Sequence, residues 1–375
     1  MNRRSARRGT LASIAAEIGV SRTTVSNAYN RPNQLSPELR EKILATAERV
    51  GYPGPDPTAR SLRTRRAGAI GVLLTEDMTY AFEDQASVEF MAGVATACGP
   101  LDSSMLVLPA GVGNPTERAA QLVNQASVDG FIVYSVAADD PHLAAVLARG
   151  LPTVICDQPV KPAAKGDFGF VGIDDREAIK PAAQAVVDAG HTNIGVLCIR
   201  LDRTPNDGPV SATRLRTAQM HVQRSRVQGV LDILSDAALD PAHVPIVERH
   251  INNRETAKEA ARELLTSHPE LTAVVCTTDS MAIGVLEYAR EQGISIPAQL
   301  SVTGFDGIPE ALHEGITTVR QPTQLKGQHS GEMLGAIQSA GFAKSANFPE
   351  THVILETTFK PGTSIAPPVA QGNRA

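Results

Sequence analysis

Between residues 69 and 357, short continuous apolar runs alternate with segments of helical period. The runs fall at 69–74, 105–109, 131–135, 153–156, 170–173, 194–199, 273–277, 301–305 and 353–357. A strand that is apolar on both faces needs cover on both, which means parallel sheets flanked by helices. Helical patterns at 86–98, 115–125, 176–189, 255–265, 281–292 and 324–340 supply that cover. So many strands exceed one compact sheet, and the pattern predicts two doubly wound lobes of α/β class. Open sheets of this kind bind ligands outside the carboxyl ends of their strands.

The first 66 residues follow another pattern. Leu11, Ile14, Ala15 and Ile18 share one helical face, Thr10 stands at an N-cap position and Gly19 ends the helix. Ser21 caps a second short helix with Val25 and Ala28 inward. Ser36, Pro37 and Glu38 open a third, with Ile43, Leu44, Ala47 and Val50 as its buried stripe and Gly51 as its end. The first two form a helix-turn-helix, whose second helix enters the DNA major groove. Arg22, Thr23 and Asn27 lie where base edges would be met. Thr24 packs or touches the DNA backbone, and Arg22 has the alternative of a phosphate contact.

The string Leu11-Ala-x-Ile-Ala-x-x-x-Gly-Val-Ser-x-x-Thr-Val-Ser-x-x-x-Asn30, followed by Ser36-Pro-Glu-Leu-Arg-Glu-Lys-Ile43, resembles the head of the LacI/GalR regulators. Ala59-Arg-Ser-Leu-Arg63 resembles that family's hinge helix, and the likeness continues through Ser301-Val-Thr-Gly-Phe-Asp306 to Phe359. The resemblance implies a head at 1–55, a hinge helix and linker at 56–67, and a periplasmic-binding-protein-type body at 68–363. In that body, lobe one is 68–167 plus 323–350 and lobe two is 168–322 plus 351–363. Residues 364–375, with two prolines and no heptad, are expected to fray. Residues 200–225 read as a long loop or lid.

The resemblance also implies residue roles. Ala59 and Arg60 would lie against DNA and Leu62 would wedge into the minor groove, unless Leu62 is a core contact. Asn27 stands where many family members carry Arg, which leaves the operator sequence open. Asp157, Asp279, Asp306, Arg226 and Gln321 would line the effector cleft. Asp279 and Asp306 could instead be helix caps, and Arg226 could pair with a surface acid. Tyr80 and Phe82 would stack on a sugar ring or else be ordinary lobe aromatics. Three acids against one base favour a neutral sugar, sugar alcohol or nucleoside.

Charge placement agrees with these roles. Residues 1–66 carry a balance of +8 and the remainder −13, so a polyanion suits the head alone. The expected partners are a two-fold duplex operator, a small-molecule effector and a second copy of the chain. The N-terminus has charge but no apolar core of a signal peptide, and no run of 18 apolar residues occurs. A cytoplasmic protein without a membrane span is expected. Scattered Cys98, Cys156, Cys198 and Cys276 read as reduced core thiols. No catalytic or metal motif appears, so neither an enzyme nor a cofactor is expected. Repression relieved by ligand is the expected sign, with corepression, activation or a free sugar-binding protein as alternatives.

Overall fold

A computed structural model of the chain describes residues 9–56, 61–62, 64–74, 78–109, 116–162, 167–340 and 351–369. The chain divides into two compact units, 1–67 and 68–375.

In the first unit, helices span Leu11–Ile18, Arg22–Asn30 and Pro37–Arg49. The start of the first helix is a capping box. Thr10 Oγ1 accepts from the Ser13 amide at 3.2 Å, and Ser13 Oγ accepts from the Thr10 amide at 2.9 Å. Gly19 stops the helix with φ 77°, a conformation that costs glycine nothing. Ser21 and Ser36 cap the other two helices. Ile14, Ala15, Val25, Ala28, Ile43 and Ala47 form the buried core between them. A 3-10 turn at Pro32–Gln34 bridges the second and third helices.

The body has the two predicted lobes. The first sheet runs, in spatial order, His352–Ile354, Gly169–Gly172, Thr153–Cys156, Gly130–Tyr134, Ala69–Leu74, Ser104–Pro109, with every neighbouring pair parallel. Phe90, Phe131, Ile132 and Ile155 fill its two faces. The second sheet runs Ser301–Thr303, Ala273–Cys276, Ile194–Ile199, Ile246–Arg249, Gly208–Pro209, and only the last pair is antiparallel. An antiparallel ribbon of Thr318–Arg320 with Thr358–Lys360 lies at the crossings between lobes. All four cysteines are free and buried, three of them inside strands.

Three expectations need correction. Strands Gly169–Gly172 and His352–Ile354 pair within the first sheet, so that lobe extends past residues 167 and 350. The parallel hydrogen-bond ladder, not the nearby turns, decides membership. Residues 200–225 are not an irregular loop. Gly208–Pro209 joins the second sheet, Ala212–Thr217 is helical, and Arg214 grips buried Glu248 at 2.5 Å and 2.8 Å. Nor does the C-terminal segment fray from residue 364. Ser364 Oγ accepts from the Thr317 amide at 2.8 Å and donates to the Val302 carbonyl at 2.6 Å. The Ala366 carbonyl lies 2.8 Å from His191 Nε2, whose N–H can donate to it.

Candidate DNA-reading and effector-binding sites

On the recognition helix, Arg22 and Thr23 are exposed and Val25 is fully buried. The Thr24 amide donates to Ser21 Oγ at 3.0 Å, and their hydroxyls sit 2.8 Å apart, so Thr24 belongs to the cap. Asn27 is half-buried, and its Nδ2 donates to Gln34 Oε1 at 3.3 Å. Leu62 is 78% exposed. Ala59 and Arg60 lie outside the described residues.

Between the lobes is a cavity of about 100 Å³. Asp157, Arg226, Asp306 and Gln321 all line it, as the resemblance implied. They belong to one hydrogen-bonded chain. Arg226 Nε donates to Asp175 at 2.8 Å, and its Nη1 donates to the Thr277 carbonyl at 2.8 Å and to Asp306 at 3.3 Å. Its guanidinium also lies over the Phe305 ring, 3.9 Å from the centroid. Gln321 Nε2 donates to Asp306 at 2.6 Å, and Gln321 Oε1 accepts from Lys326 Nζ at 2.7 Å. Lys326 Nζ then donates to both Asp157 oxygens, at 2.8 Å and 2.6 Å. The chain thus joins lobe one to lobe two through the crossing segment. A buried ion pair is tolerated only when its remaining valences are satisfied, and here Lys326 has three acceptors.

Two of the cleft carboxylates sit on unusual backbone. Asp157 has φ 66° and Asp306 φ 121°, both in the left-handed region. Such strain is held where surrounding structure fixes it, and it concentrates at functional sites. Backbone hydrogen bonds at 2.9 Å pin each residue, from Asp157 N to Val171 O and from Asp306 N to Val319 O. Burial pushes the Asp306 carboxyl up to about 8 despite the pull of Arg226, with Asp279 and Asp84 adding to the rise. Burial likewise raises Asp175 to about 6 against Arg226. Burial lowers Lys326, but Asp157 and its other acidic neighbours outweigh it and the net shift is upward.

Two expected residues, Asp279 and Phe82, do not line this cavity. Asp279 is fully buried behind it. Thr278, not Asp279, caps the Asp279–Gln292 helix. The Asp279 carboxylate accepts from the Ile308 amide at 2.8 Å and from the Thr318 hydroxyl at 2.6 Å. It braces the turn that carries Asp306. Phe82 is 62% exposed and does not line the cavity. The side chain of Tyr80 lies outside the described residues.

Several further groups line the cavity without a distinctive sequence pattern. Arg200 directly follows the Ile194–Ile199 strand, just as Asp157 directly follows Thr153–Cys156. Burial lowers its pKa to about 10, with Glu248 opposing the shift. Asp84 lines the wall while capping the next helix through the Ser87 amide at 2.8 Å. Gln223 Oε1 accepts from the Thr277 hydroxyl at 2.6 Å, which leaves its Nε2 as the donor for a ligand. Gln158 spans the lobes: its Oε1 accepts from the Val222 amide at 2.8 Å while its Nε2 donates to Ser135 at 3.1 Å. Lys326 gave no sequence signal, being one lysine on an otherwise small and apolar helix face. The charge count also changes. Arg200 joins Arg226, opposite Asp84, Asp157 and Asp306, so the wall is nearer to balance than three acids against one base.

Comparison with known proteins agrees with this architecture. Residues 10–54 match the family described as "Bacterial regulatory proteins, lacI family". Residues 67–355 match "Periplasmic binding proteins and sugar binding domain of LacI family". The chain belongs to the LacI family. It is 56% identical over 361 residues to the HTH-type transcriptional regulator IpsA of Corynebacterium glutamicum, covering 96% of this chain and 98% of that one. It is 48% identical over 328 residues to the regulator Rv3575c of Mycobacterium tuberculosis, covering 88% and 90%. The crystal structure of a LacI-family regulator from Corynebacterium glutamicum superposes with TM-score 0.75 at 53% identity, covering 96% and 99%. The lac repressor dimer bound to operator and an anti-inducer reaches the same TM-score at 22% identity, a likeness of fold. This LacI-family chain is therefore a DNA-binding transcriptional regulator with a small-molecule effector. No described helix is long and apolar enough to cross a membrane.

Proposed function

We propose that this regulator is a homodimeric repressor whose two heads read a two-fold operator, and that a small polyhydroxylated ligand in the cleft releases it. The observation that carries the ligand class is the chain from Arg226 through Asp306, Gln321 and Lys326 to Asp157. It presents fixed acceptors and donors from both lobes to one small cavity. Carboxylates accept pairs of hydroxyl hydrogens, and guanidinium donates to hydroxyl and ring oxygens. Two guanidinium groups balanced by carboxylates suit a neutral molecule. Tyr134 is the one aromatic residue among the described lining, and its ring is stacked on Phe90 with centroids 4.0 Å apart. That favours a sugar or sugar alcohol over a nucleoside, which needs a free stacking face.

One head contacts only a few base pairs, so tight binding calls for two heads and a symmetric site. A hinge helix of about six residues is marginal alone, which makes it the natural element to form or melt as the lobes close. Leu62, exposed and flanked by arginines, is the wedge in this reading, with Ala59 and Arg60 beside it. Thermal-shift screening of sugars, sugar alcohols, nucleosides and their phosphates tests the ligand class. A neutral polyol should raise the melting temperature. Stabilisation by phosphorylated or aromatic-acid ligands alone would refute the reading.

A further inference from the structure

We propose that Gln34, outside the recognition helix, is a positioning residue for DNA specificity: it fixes the side-chain amide of Asn27 for base reading. The inference rests on the DNA-reading conclusion, in which Asn27 faces a base edge. Asn27 occupies the sixth position of the Arg22–Asn30 helix and donates from Nδ2 to Gln34 Oε1 at 3.3 Å. Gln34 itself is held by its backbone. It closes the Pro32–Gln34 turn through a 3.0 Å bond from its amide to the Arg31 carbonyl, and the Leu35 amide bonds the Pro32 carbonyl at 3.1 Å. Proline fixes one end of the turn and Leu35, packed on the head core, fixes the other. The Gln34 side chain therefore starts from a rigid anchor.

The chemistry follows from the asparagine amide. Its oxygen and nitrogen can exchange places by a half-turn, which swaps acceptor for donor at the same point in space. A free Asn27 could present either order to the groove. In the pairing the structure holds, Nδ2 to Gln34 Oε1, Asn27 keeps Oδ1 and its second hydrogen for the groove. That acceptor and donor match adenine N6–H and N7, whereas guanine offers two acceptors there. The mirrored pairing, Gln34 Nε2 to Asn27 Oδ1, gives the reverse order, and a glutamate at 34, which only accepts, excludes it. Removing Gln34 Oε1 would let the amide rotate and would erode discrimination at that base pair by about tenfold.

The test is selection of bound sequences from a pool of random DNA duplexes by the full-length protein, read by sequencing. Native protein, Asn27→Ala, Gln34→Leu and Gln34→Glu are compared, with circular dichroism melting to confirm folded heads. Asn27→Ala should flatten one base-pair column of the selected motif, and Gln34→Leu should flatten the same column. Gln34→Glu retains an oxygen acceptor for Asn27, so it should keep that column while weakening binding to every sequence near the phosphates. The inference fails if Gln34→Leu leaves the column intact or flattens a different one, which would make Gln34 a reader of its own base. It fails equally if Gln34→Glu flattens the column as Leu does. If native protein selects no motif, the DNA-reading conclusion itself falls.

Discussion

Asp279 and Asp306 follow strands in the same way, yet only one faces the cleft. Neither is distinguishable from the other in the sequence, because a strand-end aspartate serves equally as ligand contact or internal brace. The difference lies in what meets the carboxylate: Ile308 and Thr318 for Asp279, Gln321 and Arg226 for Asp306. Asp279→Ala would leave a buried amide and a buried hydroxyl without acceptors, at a cost of about 2–4 kcal/mol. Urea unfolding should report that loss, and a change below 0.5 kcal/mol would contradict the bracing role. Asp306 gives a pH signature. Its folded value of about 8 lies above the ordinary carboxylate range. Between that range and pH 8 the folded chain holds a proton that the unfolded chain has released, so stability falls as pH rises. Asp175 and Asp279, both raised to about 6, steepen the lower part of the fall. Asp306→Asn has no proton to hold. Its unfolding free energy should decline less between pH 6 and 8 than the native chain's, and an unchanged slope would place the titration elsewhere.

Among the elements, the Thr323–Ala340 helix does most to join site and scaffold. Lys326 holds Asp157 and Gln321, while the neighbouring glycines lie against the Gln85–Cys98 helix. A Cβ on Gly327 would stand 2.1 Å from the Phe90 carbonyl oxygen, so the two backbones touch. Gly327→Val should therefore destabilise by about 1–3 kcal/mol through overpacking, readable by thermal melting. Full tolerance would mean the helices do not pack this closely. Strand and helix periods made most of the elements legible, because burial on both faces leaves long apolar runs. The Ile246–Arg249 strand escaped for a physical reason. Glu248 and Arg249 read as surface residues, but Arg214 and Glu263 neutralise them in the interior. Without that strand, Gly208–Pro209 had no partner and the segment around it read as loop. Ser364 and Ala366 were likewise illegible, since their anchors, Thr317, Val302 and His191, are distant in sequence.

At the scale of the whole molecule, the cleft has contacts that could hold it shut. Gln158 bonds the Val222 amide across it, and Arg203 Nη1 donates to the Asp139 carbonyl at 3.2 Å. Gln158→Leu should favour lobe opening, seen as a larger radius of gyration by small-angle scattering and faster exchange at the Val222 amide. Unchanged exchange would remove Gln158 from the closure. If closure and operator binding are linked, ligand and DNA must oppose each other by one common factor. The direct measurement is a titration of a selected operator duplex with full-length protein, with and without a saturating polyol found by thermal shift. Opposed coupling of ligand and DNA requires that ligand weaken binding by roughly 5–150-fold, equivalent to ~1–3 kcal/mol. Tighter or unchanged DNA binding with the cleft occupied would contradict it.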